Sequence, residues 1–311
     1  MGWVCALQSH RNKSQCRGID GDPGIGDLNN KNMQIGIFAK TFTRPTLGGL
    51  LDAIAKEGIG SIQFNFSCVG LPTLPEQIDS GLAEQIRREV MERGLNLPAV
   101  SGTFNMIHPD KSVREDGLRR LRELAKACGK MGVPVITLCT GTRDAGNMWR
   151  RHPQNDLPDA WSDLLASMGE ALAIAEASQI TLAIEPEPGN VVASARKGRQ
   201  LLDELKSRHL KIVMDAANLF HSEDLPRMRE ILDDAFDLLG GDIVIAHAKD
   251  VRADGELRHL AAGKGVLDYD HYLRLLKGCG FAGPLILHEL KEPEVPECVA
   301  FLRRKLKARG S

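Results

Sequence analysis

No stretch of this 311-residue chain approaches the roughly 20 consecutive apolar residues of a bilayer-spanning helix, so no membrane partner is expected. The formal net charge is only −1. A chain so balanced lacks the broad positive field that holds nucleic acid, and none is expected as a partner. The seven cysteines (5, 16, 68, 128, 139, 279 and 298) include no C-x-x-C pair and are odd in number. Reduced thiols and a cytoplasmic location are the simplest reading. Cys139, at an expected strand end, is a candidate reactive thiol, although a free cysteine there is more often a small core apolar group. The opening MGWVCAL is too short and lacks the basic flank of a secretory signal. It also misses the myristoylation pattern, since Ala6 stands where Ser or Thr is required.

What is present divides at Met33. Residues 1–32, with HRNKSQCRGIDGDPGIGDLNNKN, are rich in Gly, Asn and charge without periodicity, and read as a disordered N-terminal extension. Met33 then reads as the start of one domain, 33–311. From Gln34 onward β-rich runs alternate with helical patterns. The runs are QIGIFAK (34–40), SIQFNF (61–66), LPAVSG (97–102), PVITLCT (134–140), ITLAIE (180–185), KIVMD (211–215), DIVIAH (242–247) and PLILHE (284–289). Between them, TLGGLLDAIAKEG and GLAEQIRREVMERG stop at Gly58 and Gly94, where a glycine lets a helix end. Strand alternating with helix implies parallel pairing, and eight such units fit the ~250 residues of a closed barrel. No G-x-G-x-x-G follows the first strand, which leaves the open dinucleotide-binding sheet with little support. The expected fold is α/β, a single (β/α)8 TIM barrel.

Strand side chains alternate with period two. In TLAIE, outward Leu182 and Ile184 would place Glu185 inside the barrel at its C-terminal mouth, where this fold keeps its active sites. The same phase places Asp215 and His247 inward. In PLILHE, Leu285, Leu287 and Glu289 are taken as inward, with His288 out of phase. Three carboxylates and an imidazole at one rim repel one another unless a divalent cation joins them. Each alone is better read as an ordinary rim residue; four consecutive strands in phase are not.

The segments AIEPEPG, MDAANL, AHAKD and LHEL, with GKGVLDYDHYLRLLKGCGFAGPLILHEL, resemble the xylose isomerase-like barrel superfamily of sugar phosphate isomerases and epimerases. The resemblance spans roughly residues 33–306. It implies one divalent metal ion held by Glu185, Asp215, His247 and Glu289. Glu185 and Glu289 would face each other across a small carbohydrate as acid and base, through a metal-stabilised enediolate. Mn²⁺ or Mg²⁺ suits such an oxygen-rich site first, with Co²⁺ and Zn²⁺ also open. A homo-oligomer is a further expectation from the superfamily. Many relatives carry D-x-x-H; here that slot is Asn218, with His221 three residues on.

Substrate-binding candidates are Asn218, which could instead cap a helix, Arg252, His108, Trp149 and Asn65. Asp250 is a candidate for orienting a metal ligand and Lys264 for meeting an anion. Glu187 shares the parity of Glu185 but lies beyond Pro186. The loop of about twenty residues after the fourth strand, containing Trp149, is long for the fold and a candidate lid. Two alternatives stay open. A type IV apurinic endonuclease would need about five histidines around three zinc ions, and this chain has nine in all. A dehydratase of keto sugars or inososes would use the same site; a non-catalytic sugar-binding barrel is a third class.

Overall fold

The computed structural model describes residues 33–252 and 259–307. The expected extension at 1–32 lies outside the described residues. Strands β1 (Gln34–Phe38), β2 (Ser61–Phe64), β3 (Asn96–Ser101), β4 (Val135–Leu138), β5 (Thr181–Ile184), β6 (Leu210–Asp215), β7 (Ile243–Val251) and β9 (Pro284–Leu287) run parallel. Their order β6-β5-β4-β3-β2-β1-β9-β7 closes through the β6–β7 pairing. The short β8 (His259–Ala261) adds antiparallel to the end of β7. Helices α1 (Leu47–Lys56), α2 (Ser80–Glu92), α3 (Lys111–Met131), α4 (Pro158–Ser178), α5 (Ala195–Leu205), α6 (Met228–Leu239), α7 (Tyr269–Gly278) and α8 (Val295–Lys307) complete the (β/α)8 barrel.

The helices begin and end where local chemistry directs. Asp79 and Asp110 accept the N–H of Leu82 and Ser112 at the starts of α2 and α3, replacing partners that the first helical turn lacks. Gly58 and Gly94 adopt φ of 68° and 63° just past α1 and α2, a left-handed backbone that a Cβ disfavours.

Inside the barrel, Phe38, Ala99, Val135, Ala183, Val213, Ile245 and Ile286 form one apolar cluster, separate from the larger core between strands and helices. Gly36 makes room for it: a Cβ there would sit 2.5 Å from Ile286 Cδ1. Two residues past its apolar member, strand after strand turns polar: Ala99 leads to Ser101, Val135 to Thr137, Ala183 to Glu185, Val213 to Asp215, Ile245 to His247 and Ile286 to His288. A dry layer therefore floors a polar layer at the C-terminal mouth, as period-two side-chain alternation requires.

β7 runs four residues beyond the expected end at His247. Charged Lys249 and Asp250 look like loop residues in sequence, yet both are buried and paired with β8.

Candidate metal centre at the barrel mouth

The polar layer is densest on the β5–β9 side. His247 Nδ1 lies 3.3 Å from Asp215 Oδ2 and 3.5 Å from Glu185 Oε1. Lys249, two residues further along β7 and again inward, brings Nζ to 3.2 Å from Asp215 Oδ2. Asp215, His247 and His288 can each offer one ligand atom such that all three lie within 4.8 Å of one another. The ring of Phe38 stacks on His288 with centroids 5.1 Å apart.

Three atoms of this cluster are buried without a hydrogen bond: Asp215 Oδ2, His247 Nδ1 and His288 Nδ1. Buried polar atoms are rarely left so; Asp215 Oδ2 has the Lys249 ammonium and the His247 ring beside it as charge partners. Asp215, His247 and His288, which can each bring one ligand atom to a common spot, fit a divalent cation of mixed nitrogen and oxygen ligation. The electrostatics agree. Burial would push the His247 imidazole down, but Glu185 and Asp215 outweigh it and raise its pKa to about 9. A proton there stands where a cation would. Burial opposes ionisation of Asp215 as well, yet Lys249 and His247 hold its carboxyl well below the usual range. Burial, with His247 and Lys249 nearby, keeps His288 far below the ordinary imidazole value and hence neutral, the form that binds a metal.

The structure places the sequence candidates unevenly. Glu185, Asp215 and His247 come together. Glu289 does not join them: its side chain is 52% exposed, beside His288 at 3.6 Å. The phase assumed for PLILHE is thus corrected. Ile286, rather than Leu285 or Leu287, faces the barrel interior, so His288 follows it inward. The strand has ended before Glu289, whose φ of 52° turns the chain away. Glu289 instead borders a cavity of 430 Å³ with Phe38, Lys40, His259 and His288.

Asn218 is buried, and its Nδ2 donates to Glu185 Oε1 (2.8 Å) and Glu187 Oε2 (2.9 Å). Glu187 is therefore part of the site. Burial and the adjacent Glu185 charge push its pKa up to about 7. Asn65 accepts the Ser67 N–H and caps a short 3-10 turn over Phe66–Val69. His108 takes the Asp110 N–H at Nδ1 and lies 3.3 Å from Ala145 O at Nε2. Both residues shape loops. Arg252 is exposed, as is His221, which begins a 3-10 turn. Lys264 pairs with Glu297. The Asp250 carboxylate accepts the N–H groups of Val251, Gly263 and Leu267 and so builds the turn after β8. Cys139 is buried, and burial drives its thiol far above the ordinary value, which makes it an inert core group.

The loop after β4, the candidate lid, is fastened to its neighbours by three buried asparagines. Asn155 receives the Arg143 N–H and donates to Gly189 O. Asn190 receives the Gly141 N–H and donates to Met148 O. Asn105 receives the Thr142 N–H and donates to Thr142 O. Trp149 stands on this loop with 52% of its surface exposed.

Three contributors escaped the reading of the strand ends. His288 was signalled by the apolar-x-polar rhythm of the other strands and Lys249 by its parity with His247. Gln63, whose Oε1 accepts from His247 Nε2 at 3.1 Å, carried no signal, since its partner is 184 residues away.

Fold and mouth together define a closed (β/α)8 barrel with a cluster of buried ligand-type side chains on its C-terminal rim. The chain belongs to the xylose isomerase-like TIM-barrel family, whose model matches residues 51–305. Among solved structures it is similar to 3-keto-D-glucoside 4-epimerase, YcjR, from E. coli, at 18% identity and a TM-score of 0.67 over 88% of this chain and 99% of that one. Mannonate dehydratase from Streptococcus suis serotype 2 is similar at 15% identity and a TM-score of 0.67, covering 89% of this chain and 93% of its own. The IolI protein with a bound zinc atom is similar at 18% identity and a TM-score of 0.67, over 89% and 99%. At such identities the likeness is one of fold. No curated protein matches the chain in sequence.

Proposed function

We propose that this chain is a divalent-metal-dependent enzyme that moves a proton beside the carbonyl of a small keto sugar, as an isomerase or epimerase. The observation that carries the reading is the buried cluster of Asp215, His247 and His288, which can bring one ligand atom each within 4.8 Å of one another at the mouth, beside Glu185. These four residues would hold the ion. When bound, a divalent cation supplies polarisation of a substrate carbonyl and neutralises the charge that develops as the neighbouring C–H proton leaves. With His288 in place of Glu289, one hard oxygen ligand becomes an imidazole nitrogen, so Zn²⁺, Co²⁺ or Mn²⁺ suits the set better than Mg²⁺.

The protein's own groups handle the proton. Glu185 is partly exposed and ready to meet substrate. Glu187, with its pKa near 7, can both give and take a proton at neutral pH. Asn218 holds the two carboxylates side by side through one amide nitrogen. Glu289, on the cavity rim, is better placed to meet a hydroxyl than to share the metal. Trp149 offers an exposed aromatic face to a sugar ring.

Removal of water from the same deprotonated substrate gives a dehydratase, and only the product separates the two. The nuclease reading is disfavoured: among the described residues a single ligand cluster forms, with two histidines in it. The test is solvent deuterium incorporation into a panel of keto sugars, with and without Mn²⁺ or Zn²⁺. Metal-dependent wash-in is expected for at least one ketose, lost in Glu187→Gln and kept in Glu289→Gln. Wash-in that ignores metal, or that survives Glu187→Gln, contradicts the assignment; an eliminated product by mass spectrometry turns it to the dehydratase.

A further inference from the structure

Gln63 is a neutral amide on β2, across the barrel from the carboxylates, and is almost wholly buried. Its hydrogen bonds are fully accounted for. Nε2 donates to Ser101 Oγ on β3 at 3.2 Å and to Thr137 Oγ1 on β4 at 3.1 Å. The two N–H groups of the amide are thereby used, and Oε1 is left facing His247 Nε2 at 3.1 Å. A carbonyl oxygen only accepts, so the proton between them belongs to the ring. The second ring nitrogen, Nδ1, then faces Asp215 Oδ2 and Glu185 Oε1. Neither carboxylate oxygen, when ionised, can donate to it. The spot between the ring and the two anions therefore takes a positive charge: a proton on Nδ1 in the metal-free chain, or a cation in that proton's place. The opposite amide orientation would give Gln63 N–H to Nε2, force the ring proton onto Nδ1 and block that spot.

We propose that Gln63, held by Ser101 and Thr137, is a positioning residue that keeps a proton on His247 Nε2 and so presents His247 Nδ1 to the metal. The inference rests on the metal reading above for its purpose, although the contact itself does not. A partner on the distal nitrogen of a metal-binding histidine fixes both its tautomer and its ring orientation, and loss of such a partner typically weakens metal binding about 10–100-fold. Here the partner is a neutral amide rather than a carboxylate. It orients the ring without adding negative charge to a mouth that already gathers Glu185, Glu187 and Asp215. The assignment also gives the β2–β4 side of the barrel a task at the centre: three neutral side chains, from three strands, set the chemistry of a fourth.

Two variants separate orientation from packing. Gln63→Met keeps the volume and removes the acceptor. Gln63→Glu keeps an acceptor for His247, and the Ser101 and Thr137 hydroxyls can rotate to donate to it. Zn²⁺ affinity is measured by competition with a chromophoric chelator. In parallel, the His247 Nε2 proton is followed by ¹H–¹⁵N NMR of the imidazole, in metal-free and zinc-loaded chain. Gln63→Met is expected to bind Zn²⁺ about 10–100-fold more weakly and to lose the slowly exchanging Nε2 proton. Gln63→Glu is expected to keep both near wild type. Equal losses in the two variants would show that shape, not acceptance, matters, and would overturn the proposal. So would a protected proton that survives in Gln63→Met, or its absence from the wild type. A wild type that shows the protected proton but binds no zinc would instead remove the metal reading and leave the positioning contact standing.

Discussion

The two halves of the barrel mouth are built from the same strand rhythm but carry opposite chemistry. On β5, β6, β7 and β9 the residue two past the apolar layer is ionisable or basic: Glu185, Asp215, His247 and His288. On β2, β3 and β4 the polar layer is Gln63, Ser101 and Thr137, neutral groups that bond to one another and to His247. Outside them three buried asparagines fasten the loop after β4. One half stores charge that is incompletely paired; the other is hydrogen-bonded and uncharged. Charges are held apart from their water only where something compensates them, and satisfied polar networks are what keep such a cluster in one geometry. The neutral half is therefore the frame, and the charged half the instrument it holds still.

Changes on the charged side break this contrast most. Asp215→Ala leaves the buried Lys249 ammonium without its closest carboxylate. A loss of about 3–5 kcal/mol in chemical denaturation of the metal-free chain is expected, the usual cost of an orphaned buried charge. Zn²⁺ binding should disappear with it. Next come the histidine and glutamate at the end of β9. His288→Leu should abolish tight metal binding, whereas Glu289→Gln should leave it intact in the same titration. His288→Glu should keep a site and shift its preference from Zn²⁺ toward Mn²⁺, because the inward position decides membership and the donor atom decides the ion. A Glu289→Gln variant that loses the metal while His288→Leu keeps it would reverse the assignment.

On the neutral side the effects are expected in stability. Asn155→Ala strips partners from the Arg143 N–H and the Gly189 carbonyl. It should cost about 1–3 kcal/mol, the penalty for stranding buried backbone groups, while zinc affinity in the folded chain stays unchanged. Smallest of all is Lys264→Met, which removes an exposed pair with Glu297. Double-mutant analysis should give no more than about 1 kcal/mol for that pair. A large effect of either variant on metal binding would erase the division between frame and instrument.

The sequence by itself determined the alternation of strand and helix, hence the closed parallel barrel, and the inward phase of Glu185, Asp215 and His247. Those runs are apolar on both faces, and it was the single ionisable residue closing each that marked the inward phase, whereas PLILHE closes on two, His288 and Glu289. The last strand gave no such help. Leu285, Ile286 and Leu287 are all fully buried, so apolar character marks neither face as inner. Tertiary structure chose between them: Gly36 on the neighbouring strand leaves the space that Ile286 fills, and with Ile286 inside, His288 must follow. The same holds for Lys249, which joined the site because β8 pairs with β7 and prolongs the strand. It holds again for Gln63, whose partner is 184 residues distant. Periodicity is a local property of the chain, whereas the room for a side chain and the partner it meets are supplied by segments that only folding brings near.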